Sequence, residues 1–392
     1  MPIDIERVRA DTPGVANVVH LNNCGAALMP RPVLEAQIAH LSLEAEIGGY
    51  EAAEQANAAI EHSYDALARL LNCGREEIAV VENATVGWDM AFYGMKLTAG
   101  DKVLTAVSEY ASNAIAYLQM ARRTGIEIAV VPNDAHGQLD VAALENMIDG
   151  RVKLISVTHT PTNGGLINPA AEIGRVARGA GIPFLLDACQ SAGQLPLDVE
   201  ALGCDMLSAT ARKFLRGPRG TGFLYVRSSM LERLEPPFLD LHSAEWTSPD
   251  SFTMRPDARR FENWESNIAG KIGLGVAADY ACDLGLDAIA QRVQGLAAML
   301  RERLDTLPSV TVRDLGLRKS GIVSFTVDGQ APDAVKAAMA AEGINIHTSS
   351  IGSTRYDMDA RRLEKVCRLG VHYYNTEAEL ERFLSCLKRL IG

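Results

Sequence analysis

Between residues 75 and 230, short runs of apolar residues recur along the chain, separated by segments with helical spacing. Ile78–Val81, Lys102–Ala106, Ile128–Val131, Leu154–Thr158, Phe184–Asp187, Met206–Ala209 and Gly222–Val226 each read as a short buried strand. Ser112–Thr124, Val141–Met147 and Pro169–Ala180 carry helical patterns between them. Strand–helix alternation of this kind predicts an α/β layer built on a mostly parallel sheet, and near-continuous apolarity suits strands covered on both faces. Beyond about residue 270 the texture changes. Ala288–Leu307 predicts a long helix, followed by extended Val310–Val312 and Ile322–Val327, a helix over Pro332–Glu342, extended Ile344–Thr348 and Arg368–Tyr373, and a final helix over Glu377–Leu390. This predicts two units. Residues 20–270 form the large one; a smaller α+β unit comprises 271–392 with 1–19 packed against it.

Composition narrows the partners. A chain of 392 residues, 47% hydrophobic, can bury a sizeable core. Its formal charge of -11 repels phosphate surfaces, so neither nucleic acid nor an anionic membrane is the expected partner. No apolar run approaches the ~20 residues of a membrane span, and Met1–Thr12 is polar, so no secretory signal is expected. The seven cysteines contain no CxxC pair, which suits a reducing cytoplasm and predicts neither a disulfide framework nor a metal site.

Three segments could carry chemistry. In Ser208-Ala-Thr-Ala-Arg-Lys213-Phe-Leu-Arg-Gly-Pro-Arg-Gly-Thr-Gly222, a lysine follows a buried strand and precedes a glycine-rich turn. The carboxyl ends of such strands are where α/β sheets build sites, although a solvated basic loop would read the same. In Phe184-Leu-Leu-Asp187-Ala-Cys-Gln190, an aspartate closes a strand. It could protonate a cofactor's pyridine ring or simply cap a helix. Glu82-Asn83-Ala84-Thr85-Val86-Gly87 opens a helix after a strand, either as a phosphate cradle or as an ordinary cap.

The order and spacing of these segments, with the closing Arg368-Leu-Gly-Val-His372-Tyr-Tyr-Asn-Thr376, resemble the class V aminotransferases among fold-type I pyridoxal 5'-phosphate (PLP) enzymes. That group includes cysteine desulfurases, selenocysteine lyases, isopenicillin N epimerase and hercynylcysteine sulfoxide lyase. The resemblance implies a seven-stranded, mostly parallel sheet and PLP bonded to Lys213, which also moves the Cα proton. It implies Asp187 on the pyridine nitrogen and Gln190 on the phenolic oxygen. Asn83, Ala84, Thr85, Thr210 and Arg212 would hold the phosphate, Tyr110 would stack on the ring, and Asn163 would lie near the substrate amine. Arg368 would grip the α-carboxylate, for which a guanidinium fork is apt. Glu265 and Ser266 fall in a loop that reaches a neighbouring subunit's phosphate in the family, which implies a homodimer. Asn23, Tyr50, His242, Ser349, Arg355 and His372 are further candidates to face substrate.

The chain departs from desulfurases in one respect. The loop before their carboxylate-binding arginine carries a cysteine, and here Ile344–Asp357 contains none. A persulfide needs a thiolate nucleophile. Elimination from Cβ, with release of pyruvate and ammonia, is therefore expected; transamination and epimerisation remain the alternatives. Glu46-Ile-Gly-Gly-Tyr50, Arg212, Ser353-Thr-Arg355 and His372–Thr376 are most similar to the hercynylcysteine sulfoxide lyase and selenocysteine-lyase-like branch.

Overall fold

The computed structural model describes residues 3–392. Seven strands form the central sheet: β1 (Ile78–Val81), β2 (Lys102–Ala106), β3 (Glu127–Val131), β4 (Val152–Thr158), β5 (Phe184–Asp187), β6 (Met206–Thr210) and β7 (Gly222–Val226). Their order is β1-β7-β6-β5-β4-β2-β3. β2 through β6 pair in parallel, and β7 runs antiparallel between β6 and β1. β5, β6 and β7 are buried at every position, which is why each is an unbroken apolar run. β3 lies at an edge and begins with an exposed Glu127.

Because β7 is the sole reversed strand of this sheet, the carboxyl ends of β1, β2, β4, β5 and β6 open at one edge. The helices α1 (Ala84–Tyr93) and α2 (Ala111–Thr124) begin at that edge, after β1 and β2. Trp88, Phe92 and Tyr117 stack between these helices, with ring centroids 4.8–5.4 Å apart.

Two long helices follow the large sheet, α3 (Ile268–Leu284) and α4 (Leu286–Asp305). The sequence pattern predicts one helix over Ala288–Leu307. α4 matches that span to within two residues, and ahead of it the chain turns sharply at Gly285 (φ 86°), a left-handed conformation that glycine adopts without a Cβ clash. A four-stranded antiparallel sheet comes next, in the order β8 (Val310–Val312), β9 (Ile322–Val327), β11 (Lys365–Gly370), β10 (His347–Ser350). The short α5 (Arg355–Ala360) connects β10 to β11, and α6 (Glu377–Ile391) closes the chain. Extended pairing was expected through Tyr373, but the ladder ends at Gly370; the chain then folds back, His372 N–H donating to Asn375 Oδ1 at 2.8 Å. The N-terminal segment reaches this region: Val19–His20 pairs in parallel with Ile344–Asn345, and Arg9 binds Glu379 at 2.8 Å.

Candidate active site

Five strand ends open at one edge of the central sheet. Asn83–Thr85 follows β1, Glu109-Tyr110 follows β2, His159–Asn163 follows β4, Asp187–Gln190 closes β5, and Thr210–Lys213 closes β6. Residues far apart in sequence meet here because parallel strands all end on the same side of the sheet.

Lys213 is 9% exposed, and its amine is pushed below the ordinary lysine range, first by burial and also by Arg212 and Arg368. A neutral amine in that position is a nucleophile and a base. Asp187 lies opposite at the end of β5. Its Oδ1 accepts the Cys189 N–H at 2.9 Å, and its Oδ2 accepts from Asn113 Nδ2 at 3.0 Å. Gln190 Nε2 donates to the Cys24 carbonyl (3.1 Å) and Thr162 Oγ1 (3.4 Å), while its Oε1 is buried without a partner. Arg368 projects from β11. Its NH1 donates to Thr162 Oγ1 at 2.7 Å and to the Thr162 carbonyl at 2.9 Å, leaving Nε buried and unpartnered. Arg368, Thr162 and Gln190 thus form one chain of contacts joining the small sheet to the large one. Thr162 escaped the sequence reading, because only the fold brings it between the other two.

The start of α1 is a polar cradle. Asn83 is extended, and its Oδ1 caps the helix by accepting Val86 N–H at 3.0 Å, so the cap reading of this residue holds. The N–H groups of Ala84 and Thr85 belong to the first turn, where no carbonyl of the helix can reach them. Gly222 packs directly behind: a Cβ there would lie 2.9 Å from Ala84 N and from Asn83 C. Ser208 Oγ fixes the Ala84 carbonyl at 2.8 Å, and Thr210 is buried beside it on β6. Arg212 donates to the Gly25 carbonyl, which ties the lysine segment to the N-terminal chain.

These features fit a phosphorylated pyridine aldehyde. A buried lysine whose amine is pushed below its ordinary range stands near a carboxylate, a helix start with free N–H groups is ready for phosphate, and Gln190 Oε1 and Arg368 Nε are buried polar atoms that still lack partners.

Other sequence-derived candidates stand elsewhere. His372 is fully buried; Nε2 contacts the Phe214 carbonyl at 2.8 Å, Nδ1 meets Tyr373 N–H at 3.0 Å, and burial holds its basicity well below the histidine range. Asn23 is likewise spent on the Gly370 carbonyl and the Tyr374 hydroxyl. The structure corrects the expectation for both: with every strong polar atom engaged internally, neither can face substrate. Arg355 is largely exposed and pairs with Asp359 at 3.4 Å. Asn163 is in the pocket loop, but its Nδ2 donates to Asp357 Oδ2 of α5 at 2.6 Å, a partner the sequence did not suggest. Tyr110 is half-buried immediately before α2, and Ser349 Oγ is buried without a partner on β10.

Tyr50, His242, Glu265 and Ser266 line a separate open cavity of about 750 Å3, with Trp264 and Lys271. It contains neither Lys213 nor Asp187. Behind it lies a buried charge cluster in which Glu262 accepts from Val80 N–H (2.7 Å) and Tyr64 OH (2.8 Å) and pairs with Lys271 (3.1 Å) and His242 (3.2 Å). All seven cysteines are free. Among the described residues, no helix is long and apolar enough to cross a membrane.

Comparison with known proteins gives a consistent set of relatives. The family model described as Aminotransferase class-V matches residues 19–383. A probable cysteine desulfurase of Xylella fastidiosa (strain 9a5c) is 32% identical, the alignment covering 99% of this chain and 97% of the relative. The apo cysteine desulfurase of Thermococcus onnurineus NA1 superimposes with a TM-score of 0.92 at 28% identity, over 100% of this chain and 98% of that one. The cystine C–S lyase C-DES, in complex with its reaction product cysteine persulfide, gives a TM-score of 0.86 at 27% identity, over 96% and 98% of the two chains. A C-DES variant with glycine covalently linked to the PLP cofactor gives 0.87 at 27% identity, over 97% and 98%.

Proposed function

The chain belongs to the class V aminotransferase family, and from that premise we propose that it is a PLP enzyme cleaving the Cβ–S bond, or a similar Cβ–X bond, of a β-substituted alanine, with release of pyruvate and ammonia. Cβ–S cleavage is the chemistry named for its cysteine desulfurase and C–S lyase relatives. The observation that carries the choice of products is the state of the thiols. A desulfurase hands sulfur to a cysteine thiolate and leaves alanine. Ile344–Asp357 offers no cysteine. Cys367, next to Arg368, is buried in β11 against the Pro332 carbonyl, and burial pushes its thiol up to about 12. Burial likewise pushes the Cys189 thiol up. Neither is a thiolate near neutral pH, so neither is a competent sulfur acceptor.

Bound PLP supplies the electron sink that makes the Cα–H bond acidic. The chain's own residues supply the rest. The first turn of α1, with Thr210, holds the phosphate by N–H and O–H donors. Asp187 would keep a proton on the pyridine nitrogen, and Gln190 would meet the ring oxygen by turning its amide Nε2 from the Cys24 carbonyl and Thr162 Oγ1. Arg368 binds the substrate carboxylate through its fork, which fixes how the Cα substituents stand to the ring. The Lys213 amine would hold the cofactor and, when free, would take the Cα proton. The β-substituent departs with its bonding pair, and water converts the remaining three-carbon fragment to pyruvate and ammonia. Proton transfer by a placed amine contributes about 10²–10⁴-fold to such a step.

A homodimer is part of this reading. The cavity lined by Tyr50, His242, Glu265 and Ser266 is far from self-contained: Tyr50 is 76% exposed and Trp264 57% exposed, and Leu34, Ile38 and Leu41 recur at helical spacing on the exposed face of Arg31–Ile47. An apolar stripe of that kind argues for a protein partner, and a second copy would lay Glu265 and Ser266 at its neighbour's phosphate cradle.

The test is a panel of cysteine S-conjugates and sulfoxides given to purified holoprotein with coupled detection of keto acid. Pyruvate from at least one member supports the lyase. Bleaching of the cofactor's visible absorbance without keto acid from the conjugate, restored by added keto acid, moves the assignment to transamination.

A further inference from the structure

Behind Asp187 lies a second acid that the mechanism above does not use. Glu109 follows β2 and is 1% exposed. Its Oε1 accepts from Tyr110 N–H (2.8 Å), Asn113 Nδ2 (2.9 Å) and Thr158 Oγ1 (2.5 Å). Its Oε2 accepts from Thr105 Oγ1 (2.7 Å) and lies 3.4 Å from Tyr117 OH. All of these neighbours can donate, and no cation is among them. Such a ring of donors suits a carboxylate, since an ionised acid can only accept. Burial first, and the charge of Asp187 as well, raise the proton affinity of Glu109, while the donors from Thr158, Thr105 and Asn113 act against that rise.

The link to the pocket is Asn113. Its Nδ2 meets Glu109 Oε1 at 2.9 Å and Asp187 Oδ2 at 3.0 Å, so the two hydrogens of one amide are spent on two carboxylates. Glu109 and Asn113 are four residues apart across the start of α2, Glu109 just before the Tyr110 cap and Asn113 in the first turn. A purely structural acid would have no reason to sit, unpaired by any cation, one side chain behind another acid, because two like charges in a buried site destabilise each other. A cation bound against Asp187 on its pocket side would offset that repulsion, and a protonated pyridine ring is such a cation.

We propose that Glu109 is a positioning residue for the cofactor: through Asn113 it fixes the orientation of Asp187, and its negative charge behind Asp187 raises the proton affinity of the pyridine nitrogen that Asp187 faces. The inference rests on the PLP reading above. It predicts that the protein discriminates between PLP and an analogue with carbon in place of the ring nitrogen, and that Glu109 is a source of that discrimination.

The experiment measures equilibrium binding of PLP and of the carbon analogue to apoprotein, for wild type, Glu109→Gln and Thr158→Val. Wild type should bind PLP about tenfold or more tightly than the analogue, as expected for a charge-assisted hydrogen bond at the ring nitrogen. Glu109→Gln should leave the analogue's affinity unchanged and weaken PLP by about threefold to tenfold, the scale of a charge one side chain away in a partly shielded site. Thr158→Val removes one donor from Glu109 without touching Asp187's side chain, and should give a smaller loss in the same direction. It also keeps the test decisive if the glutamine variant does not fold. Equal weakening of both ligands, or no change in either variant, overturns the role of Glu109 and leaves the PLP reading standing. Failure of wild type to bind either ligand overturns both.

Discussion

In the proposed reaction, Lys213, Asp187 and Arg368 divide the work by charge. The role proposed for Lys213 calls for a neutral amine, and burial pushes it in that direction. Lys213→Ala should abolish stable retention of the cofactor through dialysis and lower turnover by at least about 10²-fold, measured by absorbance and keto-acid release. Arg368→Lys keeps the charge and loses the fork. It should raise KM by about tenfold or more, because one of two parallel hydrogen bonds to the carboxylate disappears, and lower kcat less. His159 supplies a pH dependence. It is buried, and its basicity falls from 6.5 to about 4, mainly by desolvation. The unfolded state therefore binds more protons between those values, so stability is full above the unfolded value and declines as pH falls toward the folded one. The loss should reach on the order of 3 kcal/mol by pH 4, seen as a falling Tm, and His159→Gln should reduce that dependence. At this scale the sequence spoke through motifs. Asp187 and Arg368 lie in apolar strands and Lys213 and Gln190 follow such strands by three residues, which is why the sequence drew attention to them. Glu109 and Asn113 flank Tyr110 in one short segment, and their four-residue spacing was the overlooked signal. Thr162 and Asp357 left no signal, since only tertiary proximity gives them a role. His372 misled because a histidine in a conspicuous motif reads alike whether it serves a substrate or a buried carbonyl.

Elements were legible where burial was complete. All seven strands of the central sheet could be read from their apolar runs, since a strand covered on both faces has no polar positions to confuse it. The helices over Arg31–Ile47, Gly49–Gln55 and Asn57–Leu71 were not anticipated. The first exposes Leu34, Ile38 and Leu41 and so lacks a clean polar face. The helix over Ala288–Leu307 was legible and is α4 to within two residues, whereas α3 was not anticipated. Gly285→Ala tests the turn between the two helices. Nothing lies within 4 Å of the added Cβ, so the cost is backbone strain alone, about 1–2 kcal/mol in denaturant unfolding with turnover unchanged. Arg216 offers a stronger case. It is buried two residues before Pro218, with φ 62°, and bonds Leu28 O, Tyr373 OH and Thr12 Oγ1 while lying over the rings of Tyr373 and Tyr374. It latches the Lys213 turn to both ends of the chain. Arg216→Ala should cost about 3 kcal/mol or more, since three buried polar groups lose their partner.

At the scale of the whole molecule, the sheet's direction decides where chemistry can occur. One edge gathers five strand ends, and the small sheet brings Arg368 to it through Thr162. The second cavity, with Tyr50, His242, Glu265 and Ser266, contains neither Lys213 nor Asp187, so within one chain these residues stand apart from the strand-end site. The central claim is the fate of the carbon skeleton. It is tested most directly by giving the holoprotein an S-substituted cysteine labelled with 13C at Cβ and following the label by NMR. The account predicts labelled pyruvate in step with ammonia and the released thiol. Labelled alanine, with sulfur retained on the protein, would contradict it and make the chain a desulfurase that uses a thiol other than one on the Ile344–Asp357 segment.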